Sequence, residues 1–149
     1  MDAFDFIKKE HKRLDKAFSK LANTPAEEEE TRENIFNNLK KKLEIHMKLE
    51  ESMLYPMLKR QSELRGRVFE GIVEHDESKN LLREMNSMKK NSEVWLAKFV
   101  LLRENMEHHN KVEEDELFPE AREILNQNEI DDLGRSLLEE KEKLFAEVI

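Results

Sequence analysis

The chain contains no cysteine. That excludes disulfides, thiolate metal sites, iron–sulfur clusters held by its own residues and a cysteine nucleophile. Glycine and proline number three each in 149 residues, so little turn chemistry is available. No stretch approaches the roughly 20 consecutive apolar residues of a membrane-spanning helix. The opening MDAFDFIKKEH has neither the basic start nor the apolar block of a signal peptide. A soluble, cytoplasmic protein with no membrane partner is the expectation. The net charge is −8, so nucleic acid is not expected as a partner. The acidic surplus bears on solubility rather than on mechanism.

What is present is charge, at 40% of residues, with abundant Glu, Lys, Leu and Met. This mixture predicts long helices. The length suits one domain, 1–149, with room for a real core. Helical periodicity runs from about Asp2 to Asn23, to about Gln61, from about Arg65 to Lys90, and from Ser92 to about Leu125. Ser92, with Glu93 behind it, is the expected N-cap of the fourth segment. A fifth segment, 129–149, follows the break Asn126-Gln127-Asn128. Short connections make successive helices antiparallel neighbours. The predicted fold is therefore all-α: an up-down-up-down four-helix bundle over 1–125 with an additional C-terminal helix.

Residues 46–56, HMKLEESMLYP, return almost unchanged at 109–119 as HNKVEEDELFP. The inward-facing stripes show why. They read Phe4, Ile7, His11, Leu14, Phe18, Leu21 in the first helix and Leu39, Leu43, His46, Glu50, Met53, Met57 in the second. The third gives Val68, Ile72, His75, Lys79, Leu82, and the fourth Trp95, Phe99, Leu102, Met106, His109, Glu113. Each helix contributes one histidine to an otherwise apolar face, and two add a glutamate one turn further on. At about 1.5 Å rise per residue the four histidines fall within a few Å of one level.

Four imidazoles and two carboxylates cannot be buried unpaired without a cost of several kcal/mol or a change of protonation. A dipositive metal cancels the charge and fills the lone pairs. The i, i+4 spacing sets His46 above Glu50 and His109 above Glu113. Two bridging-capable carboxylates suit a pair of metals about 3.5–4 Å apart, and the sulfur-free donor set fits iron, manganese or zinc. Pro56 and Pro119 should kink or end their helices just past this layer, at about 3 kcal/mol or more each if they lie mid-helix.

Bland readings serve most other residues. Glu51 and Glu114 are expected to be solvated, with a shifted carboxylate ligand as the alternative. His108 lies a full 100° from His109 around the helix and is read as surface or behind the ligands, although it is the one spare histidine and the candidate fifth nitrogen. Asp15 either orients His11 or pairs with a surface lysine. Lys79 faces inward by register but can snorkel out. Tyr55 is read first as packing and second as a redox-active or hydrogen-bonding neighbour of the layer, and Met53, Met57, Met85, Met88 and Met106 as core filler. No histidine has Glu three residues before it, and no His-Glu-x-x-His occurs. These absences argue against a ferritin-type oxidase and a zinc protease.

The order His11, His46-x3-Glu50, Glu74-His75-Asp76, His109-x3-Glu113 resembles hemerythrin-like (HHE cation-binding) domains over essentially the whole chain. The EE-x-x-L-Y/F-P tails resemble them too. The likeness implies a four-helix bundle with a non-haem di-iron centre. His11, His46, His75 and His109 would be terminal ligands, with Glu50 and Glu113 bridging. It implies O2, or a related small ligand such as peroxide or nitric oxide, as partner. The invertebrate oxygen carriers have two histidines one turn apart on the third helix. Here Gly71 and Lys79 flank His75, as in the bacterial H-HxxxE-H-HxxxE subgroup, in which one iron is poorer in nitrogen. Three functions follow from the likeness. One is a cytoplasmic di-iron protein that binds O2 or a related small molecule as a sensor, store or scavenger. Another is an enzyme acting on peroxide or nitric oxide or in iron–sulfur repair, although the added cysteine-bearing segment of the repair members is missing. The last is a metal-stabilised interaction module, with zinc as its candidate ion and no redox role. Oligomeric state is not encoded in these patterns.

Overall fold

The computed structural model describes residues 1–147; the last two residues of the fifth predicted helix lie outside the described residues. Helix α1 spans Ala3–Ala22 and α2 Glu29–Leu49. A π-helical turn, Glu50–Leu54, leads into the short α3, Tyr55–Lys59. A 3₁₀ turn precedes α4, Arg65–Asn86. Helix α5, Glu93–Val112, continues through a second π turn, Glu113–Leu117, into α6, Phe118–Ile124. Helix α7, Gln127–Glu147, completes the described chain, which contains no strand among these residues. This is the predicted bundle with its extra C-terminal helix.

Local chemistry sets the helix ends. Asp2, in extended conformation, accepts from the Asp5 amide at 2.9 Å and caps α1. Ser92 accepts from the Trp95 amide at 3.1 Å and caps α5, as its sequence position predicts. Helix α4 ends at Asn86, before the predicted Lys90. The buried Lys90 ammonium turns back and donates to the carbonyls of Met85, Asn86 and Met88 at 3.1, 3.1 and 2.7 Å. It thereby satisfies carbonyls that the helix end leaves free. Arg32, also buried, reaches across from α2 to the carbonyls of Thr24 and Lys90 and lies over the Trp95 ring.

The two prolines do not end the helical path where they stand. Each is the second residue of a short helix, a position where the missing N–H is not needed. The helix ahead of them widens instead. The Tyr55 amide bonds to the Glu50 carbonyl and the Phe118 amide to the Glu113 carbonyl, five residues back in each case. Both wide turns begin at the glutamates of the repeat.

Two apolar clusters fill the bundle. One is built on Leu14, Phe18, Leu39, Leu82, Trp95 and Phe99, and the other on Phe4, Ile7, Leu49, Leu54, Val68 and Phe118. Met57, Met85 and Met106 are core residues, and Met53 and Met88 pack at its edge. His11, His46, His75 and His109 lie on the helix turns between the two clusters. Helix α7 packs along α1 and α2, burying Ile130, Leu137 and Leu144.

Candidate metal centre

The six residues predicted from the stripes converge in one layer, and all six are buried. His11, His46, Glu50 and Glu113 each offer a ligand atom within 4.8 Å of the others, and so do Glu50, His75 and His109. Glu50 is common to both groups. Its Oε1 lies 2.9 Å from His75 Nε2, 3.4 Å from His109 Nε2 and 3.5 Å from His46 Nε2. Glu113 spans the layer in the same way: Oε1 is 3.2 Å from His11 Nε2, and Oε2 is 3.1 Å from His109 Nε2. Every imidazole turns Nε2 inward. The repeat thus supplies one histidine and one shared carboxylate from each of α2 and α5, while α1 and α4 supply the other two rings.

The electrostatics of the layer are dominated by burial and by the two inward glutamates. Burial works against charge on His11, His75 and His109. The glutamates outweigh it, so all three hold protons more tightly than a free imidazole. At His46 burial wins over Glu50, and its pKa falls to about 4. Burial also opposes the Glu50 carboxylate, but His46, His109 and His75 hold its pKa well below the usual range. Even so, the layer is not satisfied internally. His11 Nε2, both ring nitrogens of His46, Glu50 Oε2 and Glu113 Oε1 have no hydrogen-bond partner. Buried polar atoms are rarely left so, because each costs about 1–3 kcal/mol. Unpartnered imidazole nitrogens and carboxylate oxygens pointing at one another fit a metal and fit nothing apolar.

Behind the layer stands a set of carboxylates that sequence reading missed. Glu51 accepts from His75 Nδ1 at 2.8 Å, Glu114 from His11 Nδ1 at 2.7 Å, and Glu74 from His109 Nδ1 at 2.8 Å. Glu51 and Glu114 are therefore not simply solvated: they fix ring orientation, as outer carboxylates do around metal-binding histidines. The doubled Glu-Glu of the repeat was the available signal. Lys79 has left the core stripe and pairs with Glu51 at 2.9 Å. His11 is oriented by Glu114 and not by Asp15. His108 is 69% exposed, with its Nε2 at 3.5 Å from the outer oxygen of Glu74, so it stays at the surface.

Tyr55 is more than packing. Its hydroxyl donates to Glu113 Oε2 at 2.6 Å and lies 3.2 Å from His109 Nε2 and 3.4 Å from Glu50 Oε1. Gly71 makes room for it, since a β-carbon there would stand 2.9 Å from the phenolic oxygen. Burial, with Glu113 and Glu50 adding to it, raises the phenol pKa well above its ordinary value. The hydroxyl thus stays protonated at the edge of the His75–His109 group.

A family model described as the hemerythrin HHE cation-binding domain matches residues 2–121. A crystal structure of an HHE cation-binding-domain-containing protein from Mycobacterium kansasii superposes with a TM-score of 0.83. It covers 97% of this chain and 87% of that one, at 21% identity, a likeness of fold. No curated protein matches the chain.

Proposed function

Because the chain belongs to the hemerythrin HHE cation-binding domain family, we propose that its buried layer holds two iron ions and that the protein binds O2 or a related small molecule as a sensor, store or scavenger. One observation carries this reading. Two groups of inward-facing donors, several of them unpartnered, share Glu50 and are both flanked by Glu113. His11 and His46 would hold one ion and His75 and His109 the other, with Glu50 and Glu113 between them. A di-iron pair supplies the redox chemistry by which such a centre takes up O2, peroxide or nitric oxide.

The chain's own residues do the rest. Glu51, Glu74 and Glu114 keep three imidazoles turned Nε2-inward. The Leu, Phe and Met clusters on either side exclude bulk water from the layer. Tyr55 keeps a proton on its oxygen within hydrogen-bond distance of Glu113. That hydroxyl favours a second reading: turnover of peroxide or nitric oxide, where a held proton serves a departing or reduced oxygen. A centre filled by zinc would leave a redox-silent interaction module.

The deciding experiment loads the protein with Fe(II) without air and follows metal content and absorption before and after exposure. Two irons per chain, with new bands that fade when O2 is removed, are expected for reversible binding. Bands that persist point to the enzyme reading and to peroxide and nitric oxide assays. A folded chain that takes up little or no iron overturns the di-iron reading.

A further inference from the structure

The outer carboxylates are not symmetric. The dipeptide Glu74-His75 on α4 has a counterpart in Glu10-His11 on α1, just as the α2 repeat has its counterpart on α5. On one side of the layer Glu74 accepts from Nδ1 of His109, the histidine of the neighbouring helix. The corresponding bond on the other side would join Glu10 to Nδ1 of His46. It is not made. His46 Nδ1 is buried without a partner. Glu10, itself only 7% exposed, gives Oε2 to Lys141 of α7 at 2.6 Å, with Arg13 at 3.4 Å from the same oxygen.

We propose that Glu10 is a fourth outer carboxylate of the site and that Lys141 of the C-terminal helix holds it away from His46. This rests on the reading of the layer as a metal centre. A carboxylate behind an imidazole fixes the ring and strengthens its nitrogen as a donor. Three of the four rings have one, and His46 alone does not. The His11–His46 group is therefore the weaker of the two, and a residue outside the family's matched span of 2–121 makes it so. Glu10 and Lys141 both line a cavity of about 340 Å³ walled by α1, α2 and α7. Glu10 therefore has open space beside it in which to turn. Helix α7 acts as a positioning element: docked, it withholds Glu10; displaced or stripped of Lys141, it releases Glu10 to His46.

The test uses the full chain loaded with zinc, which is diamagnetic, and ¹H–¹⁵N spectra of the histidine rings. In the unaltered protein the Nδ1 protons of His11, His75 and His109 should lie downfield, as in charge-assisted bonds to carboxylate, with that of His46 well upfield of them. In Lys141→Met the His46 proton should move downfield to join them. Chelator competition should then show zinc held about 10-fold tighter, the lower end of outer-shell effects. Adding Glu10→Ala should reverse both changes, and Lys143→Met, on the exposed side of α7, should cause neither. A His46 proton already downfield in the unaltered protein, or unmoved in Lys141→Met, overturns the proposal. Should Lys141→Met fail to fold, Lys141→Gln, which keeps a polar side chain and removes the charge, is read in the same way. Zinc that does not engage the four rings at all defeats the metal-centre reading, and this inference falls with it. Zinc bound by four rings with no change at His46 defeats this inference alone.

Discussion

At Gly71 a β-carbon would stand 2.9 Å from the Tyr55 hydroxyl and 3.3 Å from His109 Cε1. Gly→Ala within a helix ordinarily stabilises by about 0.5–1 kcal/mol. Here the sign should reverse. The phenol is rigid and its hydroxyl is committed to Glu113, so Gly71→Ala forces off a buried hydrogen bond or shifts α4, at a cost of about 1–3 kcal/mol. In a Tyr55→Phe background the added methyl meets no oxygen, and most of that cost should vanish. Urea melts of the four metal-free proteins measure the coupling, and additive losses would show that the two residues do not share the space. The same scale shows what sequence can and cannot reveal. The six inward residues were legible because helical period alone places them on one face. Glu51, Glu74 and Glu114 were not, because each bonds to a ring on another helix, and the pairing depends on how the helices are rotated. Their signal was faint but present, in the second Glu of each repeat and in the Glu that precedes His75.

Among the elements, the π turns at Glu50–Leu54 and Glu113–Leu117 are what the sequence concealed most. The prolines were visible, but a proline states only that one N–H is missing, not whether the helix breaks, bends or widens to accommodate it. The structure makes a distinct prediction. If Pro56 lay in an unbroken α-helix, Pro56→Ala would stabilise the protein by about 3 kcal/mol. With Pro56 at the start of α3, beyond the wide turn, the change should be within about 1 kcal/mol, and likewise for Pro119→Ala. Denaturant unfolding of the metal-free variants separates the two cases. At the far end of the bundle Arg32 joins the α1–α2 connection to the α4–α5 connection through two carbonyls. Arg32→Met keeps the side-chain bulk and removes both bonds. It should cost about 2–4 kcal/mol, from two buried carbonyls left unpaired, and a thermal melt unchanged from the parent would show that water replaces the guanidinium without loss.

For the whole molecule, the up-and-down path of the four long helices followed from short connections, whereas the seat of α7 did not. Nothing in the spacing of its apolar residues says which groove receives it. It lies along α1, close enough at Gly134 that a β-carbon would run into the backbone of Met1 and Asp2. Asp2 is the tie at this corner. Its carboxylate caps α1, pairs with Arg122 of α6 at 2.8 Å and accepts from Gln127 of α7 at 3.1 Å. Burial opposes the charge, but these bonds, Arg122 first, outweigh it and hold the pKa at about 2 instead of 3.8. A carboxyl whose pKa is depressed by folding stabilises the folded state above its ordinary pKa. That contribution is lost as pH falls from about 4 to about 2. The shift corresponds to roughly 2 kcal/mol at neutral pH. Asp2→Asn should therefore be less stable than the parent by about that amount at pH 7, and the gap should narrow steadily below pH 4 as the parent's carboxylate takes up its proton. Urea unfolding of both metal-free proteins from pH 7 down to pH 3 reads the gap directly. A gap that stays constant through that range would mean that the hydrogen bonds of Asp2, and not its charge, hold α1, α6 and α7 together.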